Sequence, residues 1–84
     1  MKYFLTIAAS DNCGGAGIQQ DLRIAERLGY WGLSAITGIT VQNFKKLYLT
    51  EAVNTELLKE QILLNFNTFD IKQLKSALFA VRKI

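Results

Sequence analysis

The stretch that most constrains this chain is Ser10-Asp11-Asn12-Cys13-Gly14-Gly15-Ala16-Gly17, a run of polar and small residues set between two apolar patterns of different period. Before it, Tyr3-Phe4-Leu5-Thr6-Ile7-Ala8-Ala9 is a short apolar run with the look of a buried strand. After it, Ile18, Leu22, Ala25 and Leu28 recur four, three and three residues apart, which is one face of a helix. Gly29 stands where a helix ends on a left-handed residue. Leu33 to Val41, with Ile36, Thr37, Ile39, Thr40 and Val41, reads as a second buried strand. Strand, glycine loop, helix and strand form a βαβ unit, whose crossover is right-handed. The pattern therefore predicts an α/β fold built on a parallel sheet.

The rest of the chain is less decisive. A second helix is predicted from about Thr55, with Leu58, Ile62, Phe66 and Phe69 four, four and three apart. In the tail, Ile71, Leu74, Leu78 and Val81 keep helical spacing, while Ser76 to Val81 fits a buried strand equally well. No linker, repeat or low-complexity segment divides the chain, so residues 1–84 read as a single partial domain.

Composition narrows the function classes. Half of the 84 residues are hydrophobic, and there is one cysteine, no histidine and no proline. An internal disulfide is excluded, and a structural zinc site has no ligand set. Such an apolar chain, this short, is expected to pair with a partner or to be a piece of a larger domain. The net charge of +3 falls wholly after Asn43, on scattered lysines (Lys45, Lys46, Lys59, Lys72, Lys75, Lys83). Without clustering or interleaved aromatics this is a solvated surface, so no nucleic-acid partner is expected. The run Tyr3–Ala9 is too short to span a bilayer and does not read as a signal peptide, so neither a membrane partner nor export is expected, and the lone thiol suits the cytoplasm.

Glycines at 14, 15 and 17 let backbone approach a ligand, and the first N–H groups of the following helix suit an anion or a polar ring. The spacing matches neither a P-loop nor a dinucleotide fingerprint. A tight strand-to-helix turn explains the glycines as readily as a ligand does. On the same footing Asp11 reads as a loop-capping residue, Asp21 as a solvated helix position, and Cys13 as an incidental thiol with no base to activate it. Gln42 and Asn43 end the second strand at its carboxyl edge, where ligands gather in open α/β sheets.

The string Thr6-Ile7-Ala8-Ala9-Ser10-Asp11-Asn12-Cys13-Gly14-Gly15-Ala16-Gly17-Ile18-Gln19-Gln20-Asp21-Leu22 closely resembles the opening of hydroxymethylpyrimidine/phosphomethylpyrimidine kinases. The similarity runs on through Leu28-Gly29, Ser34 to Thr37 and Val41-Gln42-Asn43, and more loosely through Gln61-Ile62, Asp70-Ile71-Lys72 and Lys75 to Leu78. The resemblance implies an N-terminal segment of a ribokinase-like, three-layer α/β/α fold in a family that phosphorylates the pyrimidine precursor of thiamine with ATP and Mg²⁺. It also implies that the ATP site and catalytic loop lie beyond this chain, and that the full-length protein is a homodimer. For substrate contact it implies Gln42, whose amide would pair with the pyrimidine. Asp21 would accept from an amino or hydroxyl group, Ala9 would present backbone, and Leu78 would pack on the ring. No catalytic residue and no metal ligand is expected within these residues. The chain departs from the family at Ala9 and Ala77, where glycines are usual, and at Phe44-Lys45-Lys46, which replaces a T-x-G turn. Those departures keep a second reading open: a truncated or decayed homologue without catalysis, at most binding a pyrimidine or a partner.

Overall fold

A computed structural model describes residues 1–77. The elements, in chain order, are β1 (Tyr3–Asp11), α1 (Gly17–Arg27), β2 (Trp31–Gln42), β3 (Leu47–Ala52), α2 (Thr55–Thr68) and β4 (Ile71–Ser76). The four strands form one sheet in the order β3-β2-β1-β4. The most apolar strand, β1, is thus placed centrally, parallel to β2 on one side and to β4 on the other. The parallel βαβ unit expected from the glycine loop is present.

Alternation along β1 sorts the two helices onto opposite faces. Leu5 and Ile7 join Leu33 and Ala35 of β2 in a buried cluster, against which Leu58 and Ile62 of α2 pack together with Tyr3, Phe69 and Ile71. Thr6, pointing the other way, is fully buried and donates to Asp21 of α1. Gly32 lies under α1, where an added Cβ would meet a Leu22 methyl at 2.6 Å. Helix, sheet and helix give the three layers that the resemblance implied.

Local chemistry sets the helix ends. Gly29 has φ +83 just past the last turn of α1, as its position predicted. Gly17 opens α1 at φ +65, where a Cβ would run into the Ala9 carbonyl oxygen, so the glycine is required twice over. The side chain of Asn54 caps α2 by accepting from the Leu57 N–H at 2.7 Å.

Three features differ from the sequence reading. A hairpin follows β2: β3 runs antiparallel to it, pairing Gly38 with Ala52 and Val41 with Leu49. Every residue of β3 is exposed, so it carries none of the buried alternation by which strands announce themselves. Second, Ile71 and Leu74 are not helical; they lie in β4, beside Tyr3 and Leu5 of β1. Strand β4 ends at Ser76, and the rest of the alternative strand, with Leu78 and Val81 of the helical alternative, lies outside the described residues. Third, Phe66 is half-exposed and Phe69 lies past the last turn of α2, so only Leu58 and Ile62 of that spacing form its inward face.

Candidate functional site

The carboxyl ends of β1 and β2 converge with the loop 12–16, and a connected polar network joins them. Asp11 ends β1 almost wholly buried. One carboxylate oxygen accepts from the Cys13 N–H at 3.0 Å and the Cys13 thiol at 3.2 Å. The other accepts from the N–H groups of Gly15 and Ala16 at 3.1 and 3.2 Å. Burial pushes the Asp11 carboxyl pKa up, but the Cys13 thiol and the N–H groups of Cys13, Ala16 and Gly15 outweigh it, holding it below its ordinary value. Asp11 is the loop-capping residue that its position allowed. It organises the glycine loop from within.

Gln19 ties α1 to the same strand end, accepting from the Asp11 N–H at 2.9 Å and donating to the Ser10 hydroxyl at 2.7 Å. Arg23 donates to the Gly14 carbonyl and, at 2.9 Å, to Gln20. Gly15 lies beneath the ring of Phe44, with 3.0 Å between that ring and the place a Cβ would take. The residue that replaces the family's threonine turn thus closes over the loop.

Gln42 stands at the end of β2, beside this network. Its N–H donates to the Asn12 side chain at 2.7 Å, and its amide nitrogen donates to Thr40 at 2.8 Å. Thr40 in turn donates to the Ser10 carbonyl at 3.1 Å. Gln42 and Asn12 of the glycine loop, 30 residues apart in sequence, are brought together here.

Asp21 is not the solvated helix position that one expectation made it. It is buried, one oxygen accepting from Thr6 at 2.7 Å and the other from Lys75 of β4 at 2.7 Å. This carboxylate pins α1 to β1 and to a strand far along the chain. Ala9 is half-buried with its carbonyl facing Gly17. Leu78 lies outside the described residues. Sequence reasoning passed over Thr40, Asn12 and Gln19 as site residues; the signal for Thr40 was its place two positions before Gln42, on the same side of a strand.

A cleft of about 320 Å³, lined by Ile39, Val41, Leu49, Glu51, Ala52 and Val53, lies on the face of the hairpin opposite Thr40. It lacks the converging polar groups that orient a small ligand, so the strand-end network is the better candidate. Among the described residues no three His, Cys, Asp or Glu side chains come together as a metal cluster. No helix among them is long and apolar enough to cross a membrane.

A family model described as phosphomethylpyrimidine kinase matches residues 11–84. The chain is 40% identical to a hydroxymethylpyrimidine/phosphomethylpyrimidine kinase of Rhizobium meliloti (strain 1021), over 94% of its own length and 30% of that protein's. The crystal structure of phosphomethylpyrimidine kinase from Clostridium difficile 630 superposes with a TM-score of 0.85 at 42% identity, covering 88% of this chain and 34% of that one. A Bacillus subtilis pyridoxal kinase, solved as an ADP complex, superposes with a TM-score of 0.82 at 28% identity over 90% of this chain and 29% of that one. The chain thus spans about a third of the length of the relatives it matches.

Proposed function

The chain belongs to the phosphomethylpyrimidine kinase family, and from that premise we propose that it supplies the pyrimidine-recognising half of a kinase site, with Gln42 as the contact that reads the ring. The carrying observation is Gln42 at the carboxyl edge of a parallel strand, its backbone N–H held by Asn12 of the glycine loop and its side-chain amide by Thr40 of the same strand. A primary amide offers a donor and an acceptor side by side, which suits the edge of a nitrogen heterocycle. The glycine loop adds backbone that a flat ligand approaches closely.

The reaction assigned to the whole protein is transfer of a phosphoryl group from ATP to the hydroxymethyl group, or the phosphate, of the pyrimidine. Such chemistry depends on positioning donor and acceptor together. This chain's part is acceptor recognition, while ATP, its Mg²⁺ and the catalytic loop belong to segments outside it. Within the chain, Gln42 and the Ala9 backbone are the proposed substrate contacts, and Asp21 holds the elements beneath them. Cytoplasmic location and a homodimer complete the proposal; the exposed Ile39, Val41 and Leu49 give the latter apolar surface to bury.

The test is calorimetric titration of the full-length protein with hydroxymethylpyrimidine. Gln42→Ala is expected to weaken binding by about 1–3 kcal/mol, the usual effect of losing one paired buried amide. An unchanged dissociation constant removes Gln42 from the site.

A further inference from the structure

The hydrogen bonds around Thr40 fix more than the position of Gln42; they fix which way its amide faces. The Ser10 carbonyl can only accept, so the Thr40 hydroxyl, 3.1 Å away, commits its proton there. Toward Gln42, at 2.8 Å, Thr40 then has only lone pairs to offer. The amide must present its NH₂, because turning it over would set oxygen against oxygen. The backbone N–H of Gln42 is held by Asn12 at 2.7 Å, so the residue as a whole does not swing away. What remains for a ligand is the Oε1 acceptor and one N–H.

A free glutamine amide reads two opposite ring edges equally well by rotating half a turn. One edge carries an amino donor beside an unprotonated ring nitrogen; the other carries an oxo acceptor beside a ring N–H. We propose that Thr40 is a positioning residue that removes this freedom, so that the site selects the amino edge over the oxo edge in a ring whose reacting group faces one way. The inference rests on the reading of Gln42 as the pyrimidine contact, and it adds a specificity device to that reading. The chain Ser10 carbonyl, Thr40 hydroxyl, Gln42 amide passes a single polarity from the end of β1 to the ligand.

The experiment compares dissociation constants of the full-length protein for an amino-substituted hydroxymethylpyrimidine and its oxo counterpart. The unaltered protein is expected to prefer the amino form by roughly tenfold or more. Thr40→Val keeps the shape and the strand preference but not the hydroxyl; it is expected to reduce that preference by roughly tenfold, and Thr40→Ser to restore it. A role confined to packing would weaken both ligands together and leave the ratio unmoved, which overturns the proposal. Binding of the amino form with strong preference but no response to Thr40→Val overturns the positioning role and leaves the Gln42 reading standing. Failure of the unaltered protein to bind either ring overturns both.

Discussion

Asp11 shows how one side chain decides whether the glycine loop has a shape. Its two oxygens hold N–H groups at Cys13, Gly15 and Ala16, which in a loop have no ladder to satisfy them. Because these donors lower its pKa below the unfolded value, they contribute stability above the ordinary carboxylate range, near pH 4. That contribution is lost as pH falls through the lowered value. Hydrogen exchange at the Gly15 and Ala16 amides is therefore expected to speed up relative to the strands on acidification below about pH 4, beyond the intrinsic effect of pH. In Asp11→Asn the same amides should exchange fast already at neutral pH. Protection in that variant equal to the unaltered protein's would mean that the loop is held by something else. The place of Gln42 at the end of β2 was legible because an apolar, β-branched run that stops at a polar pair is a local pattern. Asp21 was not, since its burial depends on Lys75, which lies 54 residues away in the sequence. A lone carboxylate on a helix looks solvated until its distant partner is known.

At the scale of elements, α2 does two jobs that periodicity separates poorly. Its Leu58 and Ile62 cover the sheet, while Gln61 and Asn65 serve the outer edge of β2. That edge is paired with β3 only from Gly38 onward. Upstream, Gln61 accepts from the Ile36 N–H at 2.9 Å and donates to the Ile36 carbonyl at 3.0 Å, and Asn65 donates to the Ser34 carbonyl at 3.0 Å. Gln61→Leu is therefore expected to destabilise the protein by about 1–3 kcal/mol although leucine is the better helix former and the more apolar residue. Denaturant unfolding of the full-length protein measures this, and a neutral or stabilising result would show that water satisfies Ile36 instead. The same division explains what the sequence disclosed of the fold. β1, α1, β2 and the start of α2 follow from local patterns that match their burial. The hairpin strand β3 is wholly exposed, and β4 mixes Lys72, Gln73 and Lys75 with Ile71 and Leu74, so neither has a period to read. Each is a strand because of the neighbour it pairs with, which is long-range information.

For the whole molecule, the question is whether 84 residues with so small a core stand alone. Among the described residues the buried aliphatic cluster is Leu5, Ile7, Leu33 and Ala35, and α2 has no buried residue at all. Leu57, Leu63, Leu64 and Phe66 on α2 and Leu47, Tyr48 and Leu49 on β3 are exposed. An apolar helix face and an apolar edge strand left open to water favour association. Charge opposes it on β4, where Lys72 blunts the edge; the Lys72–Asp70 pair at 2.9 Å is largely exposed and contributes little. The apolar surfaces are the larger effect. The 84-residue chain on its own is accordingly expected to sediment above its monomer mass, to bind a hydrophobic dye, and to show a thermal midpoint that rises with protein concentration. Because burial rather than ion pairing drives the association, raising the salt should not disperse it. A monomer with a sharp, concentration-independent transition would show the opposite: that the layers around β1 suffice, and that the apolar faces of α2 and β3 are tolerated in water. Dispersal by salt would instead place the lysines, not the leucines, at the contact.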